Sequence, residues 1–139
     1  GVEQDQVTAT SWFLLAANSG LARAQLVVGL NYANGSGVAR DATKAVSWLR
    51  RAADQGIGRA QYNLGVIYGR GNGVPVDMVE AVKWLNLAAA RGEFRADDAR
   101  KYFSRQISQE EISQARSRSG QWVAERQRPS QPETRRLSP

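Results

Sequence analysis

The chain has 139 residues, of which 42% are hydrophobic and 23% charged, and its net charge is +6 at pH 7, a composition that suits one packed domain. It contains no cysteine and no histidine. Disulfides, thiolate metal sites and Ser–His–Asp or Cys–His catalysis are therefore excluded, and no cofactor is expected. No run of about 18 apolar residues occurs, so no membrane-spanning helix is expected.

In chain order, the first expected element is a helix over 5–18, with Ala9, Trp12, Ala16 and Ala17 on one face. A second helix is expected over 22–34, with Ala24, Val28, Gly29 and Tyr32 in line. The segment "GSGVARD" at 35–41 is a turn. A helix over 41–54 then carries Ala45, Trp48, Leu49, Ala52 and Ala53. The pattern repeats as a helix over 58–70 (Ala60, Leu64, Gly65, Tyr68), a turn at 71–77 and a helix over 77–90 (Ala81, Trp84, Leu85, Ala88, Ala89). These spacings of three, four, seven and eight residues mark a single buried helical face.

The glycines at 71 and 73 just ahead of a helix invite a phosphate-loop reading. No Lys-Ser or Lys-Thr follows them and no strand precedes them, as such a loop requires. The turn reading is the better one. Glycine supplies the positive φ that ends one helix, and Asp41 and Asp77 stand where a side chain caps the next. The whole unit recurs every 36 residues: Trp12, Trp48 and Trp84 keep that step, as do Gly20, Gly56 and Gly92. Aligning 21–56 on 57–92 gives 16 identities, and 1–20 on 37–56 gives 9. Repeats of this period, each unable to bury its own apolar face, stack into a solenoid. Gly29 and Gly65, costly in mid-helix by ~1 kcal/mol, predict a close helix approach, with the tryptophan of the facing helix as the knob.

Residues 94–104 begin a third first-helix through Ala96 and end on Tyr102 and Phe103. Ser108 and Glu111 form a capping-box pattern. The helix they open has Ile112, Ala115, Ser119 and Trp122 on a narrow face, suited to covering the last hairpin, with Arg116, Arg118, Arg126 and Arg128 on its outer side. Residues 127–139 hold three of the four prolines and read as a disordered tail. At the other end, Gly1 aligns with Gly37 and Gly73, so helix 5–18 lacks a preceding partner and leaves an apolar side, including some of Phe13, Leu14 and Leu15. That side predicts either a longer parent chain or self-association.

The two full units, "AQLVVGLNYANGSGVARDATKAVSWLRRAADQGIGRA" and "AQYNLGVIYGRGNGVPVDMVEAVKWLNLAAARGEFRA", resemble Sel1-like repeats. The resemblance spans roughly residues 1–96. Val28 departs from the family's leucine, and Glu80 from its lysine. Leu15, Arg51 and Leu87 stand at its last lysine position. The resemblance implies an all-α, right-handed α/α superhelix of stacked antiparallel helix pairs, related to tetratricopeptide arrays, with a partial repeat at 1–20, repeats at 21–56 and 57–92, and a terminal helix pair at 93–126. It further implies a bacterial, non-catalytic adaptor that binds a protein or peptide on its concave face, with an exported or envelope location favoured over a cytoplasmic one.

In such arrays the first helix of each pair lines the concave side. The stripe expected there is Arg23, Val27, Asn31 and Asn34, then Arg59, Asn63, Ile67 and Arg70, then Arg95. Guanidinium groups fork onto carboxylates, so an acidic or carboxylate-bearing peptide is the expected partner. Two alternatives stand against this reading. A hydrolase acting on cell-wall or β-lactam substrates, an activity the resemblance allows, would need Ser-x-x-Lys, and no serine here has lysine three places on. Nucleic-acid binding would draw on the basic charge, which is spread evenly: residues 1–92 and 93–139 each net +3. With the tryptophans assigned to the core, no stacking platform is evident, and no nucleic-acid partner is expected.

Overall fold

A computed structural model describes residues 2–128, with side chains from residue 4 onward. The tail expected at 127–139 falls almost wholly outside the described residues. Seven helices follow one another: α1 (Val2–Asn18), α2 (Ala22–Asn34), α3 (Ala42–Asp54), α4 (Gly58–Arg70), α5 (Met78–Ala90), α6 (Ala96–Ser104) and α7 (Gln109–Arg126). No strand occurs among the described residues. The expected bounds of the four central helices hold to within a residue.

The turns within the repeats are built from the same backbone groups shifted by 36. Gly35 and Gly71 end α2 and α4 with φ of 72° and 75°, and their N–H groups donate to the carbonyls of Asn31 and Ile67. The loop then folds back, so that Asp41 N–H donates to Tyr32 O at 2.9 Å and Asp77 N–H to Tyr68 O at 3.0 Å. The same aspartates cap α3 and α5: Lys44 N–H donates to Asp41 Oδ1, and Glu80 N–H to Asp77 Oδ1, both at 3.0 Å. The second helix of each pair closes on Gly20, Gly56 or Gly92, all at positive φ. Ile57 N–H reaches Ala52 O and Gly56 N–H reaches Ala53 O, the paired bonds that satisfy carbonyls a helix would otherwise leave bare.

The helices pack as two layers, α2, α4 and α6 in one and α1, α3 and α5 in the other, each connected to its sequence neighbours. The core is Leu26, Val46, Leu49, Ala52, Ala53, Ala60, Leu64 and Trp84, continued by Val82, Leu85, Ala88, Ala96 and Phe103. The close approach at Gly29 and Gly65 is real, but its knob is leucine. A Cβ on Gly29 would lie 2.8 Å from Leu49 Cγ, and one on Gly65 would lie 2.8 Å from Leu85 Cγ. Leucine follows tryptophan by one residue, about 100° around the helix, and that rotation aims it at the glycine.

The three tryptophans do not share one environment. Trp84 is fully buried and Trp48 half-buried, but Trp12 is 69% exposed. The expectation that all three lie in the core is therefore corrected at Trp12. Trp48 sits in a cluster with Leu14, Ala16 and Ala17 of α1, so the indole packs on the hairpin before its own. No described helix precedes α1.

Helix α6 is the third first-helix as expected, with Ala96 and Phe103 buried, though Tyr102 is exposed. Its residue in register with Gly29 and Gly65 is Lys101, which bars the close approach of a second helix. The chain instead turns α7 onto α5 and the end of α3. The capping box at Ser108 and Glu111 is complete. Trp122 meets Trp84 edge-on, with ring centroids 6.1 Å apart. Arg126 stacks on Trp122 at 3.8 Å and donates to Asp54 Oδ1 at 3.2 Å. Arg118 reaches Glu80 at 3.1 Å. Two of the four arginines expected on the outer side thus pin α7 down.

Candidate peptide-binding face

The expected binding stripe falls on the layer of α2, α4 and α6, and its members do not all face the same way. Arg23, Asn34, Arg59, Arg70 and Arg95 are exposed. Val27 and Asn63 are half-buried, and Asn63 Nδ2 donates back to Arg59 O at 2.8 Å. Asn31 and Ile67, which share one repeat position, turn toward the preceding hairpin. Asn31 Nδ2 donates to Thr10 Oγ1 of α1 at 3.3 Å, and Ile67 packs against the core beside Val46. Both are half-buried, like Val27 and Asn63. At that angle on the helix the neighbouring second helix lies alongside, while Val66, one residue back, lines the cleft between α4 and α6.

Three arginines stand in one register. Arg23 and Arg59 are the second residues of α2 and α4, and Arg95 is the N-cap of α6. Each is 36 residues from the next. A cation beside a helix N-terminus is opposed by the helix dipole, by ~0.3–1 kcal/mol in the exposed case. Leu21 and Ile57, the N-caps of α2 and α4, offer no side-chain bond to the free N–H groups there. At Arg23 and Arg59 the helix end therefore gives no reason for a cation. Among the described residues Arg23 and Arg59 form no ion pair, while Arg95 pairs with Glu93 at 3.0 Å.

Two clefts open between successive helices of this layer. One, of about 510 Å³, is bounded by Arg23, Leu26, Val27, Ile57 and Arg91. The other, of about 460 Å³, runs between α4 and α6 and is bounded by Tyr62, Val66, Arg70, Phe94, Arg95 and Tyr102. Arg95 lies over the Tyr62 ring, 4.5 Å from its centroid. Phe94 is 83% exposed and Tyr102 61% exposed, and together they border one cleft.

Sequence reasoning missed Gln25 and Gln61. Both are buried, and each donates Nε2 across the hairpin junction, to Ala17 O at 3.3 Å and Ala53 O at 3.1 Å. Gln25 Oε1 accepts from Gln55 Nε2 at 2.8 Å. Arg91 replaces Gln55 in the next unit, and Gln61 Oε1 has no protein partner. The legible signal was a polar residue recurring at step 36 beside an all-apolar face.

Antiparallel helix pairs that repeat every 36 residues and stack on one another define an α/α solenoid. The Sel1 repeat model matches residues 1–21, 22–57 and 58–93. The chain belongs to the Sel1 repeat family, whose repeats are generally non-catalytic protein–protein interaction modules. One similar structure is that of c5321, a protective antigen present in uropathogenic Escherichia coli strains displaying an SLR fold. It superposes with a TM-score of 0.85 at 28% identity over 94% of this chain, and this chain spans 30% of that protein. A second is a Sel1 repeat protein from Oxalobacter formigenes, with a TM-score of 0.64 and 44% identity, covering 66% of this chain and 68% of that one. Curated protein sequences give no match. No described helix is long and apolar enough to cross a membrane.

Proposed function

We propose that this chain is a non-catalytic interaction segment that binds an acidic protein segment or peptide along the face of α2, α4 and α6. The observation that supports this most is the arginine ladder Arg23, Arg59 and Arg95, set at a fixed step beside helix N-termini, where the charges of Arg23 and Arg59 work against their own helices without an ion pair among the described residues. A carboxylate there satisfies a guanidinium and the helix end together. Arg70 extends the cationic face toward the far end of α4, and Asn34 and Asn63 add hydrogen-bonding groups along it. Side chains differ at the other open positions, Val27 against Asn63 and Asn34 against Arg70, so a common frame carries a particular surface.

The test is fluorescence anisotropy with a labelled peptide of about ten residues built from Glu, Gly and Ser. Binding that weakens with salt and is lost when Arg23, Arg59 and Arg70 are all changed to Ala supports the reading. Unchanged affinity in that variant removes it. Because the three side chains are exposed, their loss leaves the core intact, and circular dichroism of the variant verifies this.

A further inference from the structure

We infer that the α4–α6 cleft selects, within the acidic ligands of the proposed function on which this inference rests, those carrying one large apolar side chain next to a terminal or near-terminal carboxylate. The cleft walls are Tyr62, Val66 and Tyr102, with Phe94 at its mouth, so its middle is apolar. Phe103 closes the floor by packing on Gly69, where any side chain would collide with the ring. Tyr102 meets Phe103 edge-on at 5.1 Å between centroids, which holds the wall in place.

Arginines bracket the cleft. From Tyr62 to Arg70 is eight residues of helix, about 12 Å, so Arg70 stands at one end and Arg95 at the other. Arg95 already pairs with Glu93 and lies over Tyr62. Arg70 has no ion pair among the described residues and is the cation open to a ligand. Asp98 also lines the cleft. It stands in the first turn of α6, three residues on from Arg95, and its carboxylate repels a ligand acid at that end, so the ligand's acid is directed to the Arg70 end and an uncharged apolar group to the aromatic walls. No aromatic residue lines the first cleft; the residues 36 places before Phe94 and Tyr102 are Gly58 and Val66. The second cleft is thereby set apart from its own repeat.

The probes are three labelled peptides of about ten residues: the Glu/Gly/Ser peptide, the same peptide with a leucine two residues before its C-terminal carboxylate, and that leucine peptide with every Glu changed to Gln and its C-terminus amidated. Burying one leucine side chain predicts a gain of roughly tenfold in affinity for the second peptide over the first. Phe94→Ala with Tyr102→Ala is expected to abolish that gain while leaving the first peptide's affinity unchanged. Arg70→Gln is expected to weaken the leucine peptide and leave the helicity of the protein unaltered. If the two acidic peptides bind equally well, the cleft does not select an apolar group and the inference fails while the proposed function stands. If the neutral leucine peptide binds as tightly as its acidic counterpart, Arg70 takes no carboxylate and the inference fails. If no acidic peptide binds, both readings fail together.

Discussion

Two helical glycines give the sharpest stability test, because the same substitution is expected to have opposite signs at the two sites. Replacing glycine by alanine inside a helix gains up to ~1 kcal/mol of intrinsic helix stability. At Gly120 in α7 a new Cβ meets nothing within 4 Å, so Gly120→Ala is expected to realise that gain. At Gly65 the new Cβ would lie 2.8 Å from Leu85 Cγ and 3.0 Å from Ala81 O. Leu85 is fully buried, and Cγ is a branch point rather than a flexible end, so helices α4 and α5 must move apart. Overpacking of this kind costs about 1–3 kcal/mol, which at its midpoint outweighs the propensity gain and leaves Gly65→Ala destabilised by about 1 kcal/mol. For a chain of this size that difference is a Tm about 3 °C or more below the parent for Gly65→Ala, and a similar rise for Gly120→Ala. Thermal unfolding followed by circular dichroism reads both. A Gly65→Ala protein as stable as Gly120→Ala would refute the close approach of α4 and α5 on which the repeat packing depends.

Other expectations follow from the same contacts. Trp122→Ala removes the indole that covers Trp84 and should cost about 3–5 kcal/mol, with α7 losing amide-exchange protection before the other helices. Asp77→Ala deletes the cap of α5 and should lower stability by about 1 kcal/mol in urea unfolding, against a few tenths for Asp77→Gly. Trp12→Phe should remove most of the acrylamide-quenchable tryptophan emission, because Trp12 is exposed and Trp84 is not; unchanged quenching would place Trp12 inside the structure or in an interface between copies.

How much of this was legible in the sequence depended on whether a residue's environment repeats. Asp41 and Asp77, Gly35 and Gly71, and the four central helices were readable because each is fixed by contacts inside its own unit. Trp12 was misplaced because its burial depends on a neighbouring hairpin, and the 36-residue step carries identity without carrying the neighbour. The choice of knob failed for a geometric reason: Trp48 and Leu49 are adjacent in sequence but point about 100° apart, and only coordinates decide which meets Gly29. The exposure of Arg23, Arg59 and Arg70 follows from their place on a helical wheel, whereas the contact of Asn31 with Thr10 does not, because it depends on where the preceding hairpin lies. Phe94 escaped notice, and Tyr102 was read as part of an apolar helix end, because single exposed aromatics carry no periodic signal.

The most direct test of the account is chemical-shift mapping of the labelled protein as the acidic peptide is added. Perturbations confined to Arg23, Arg59, Asn63, Arg70, Arg95 and their neighbours on α2, α4 and α6 are the expected result. Perturbations centred on the outer sides of α3, α5 and α7, with the arginine ladder silent, would contradict it.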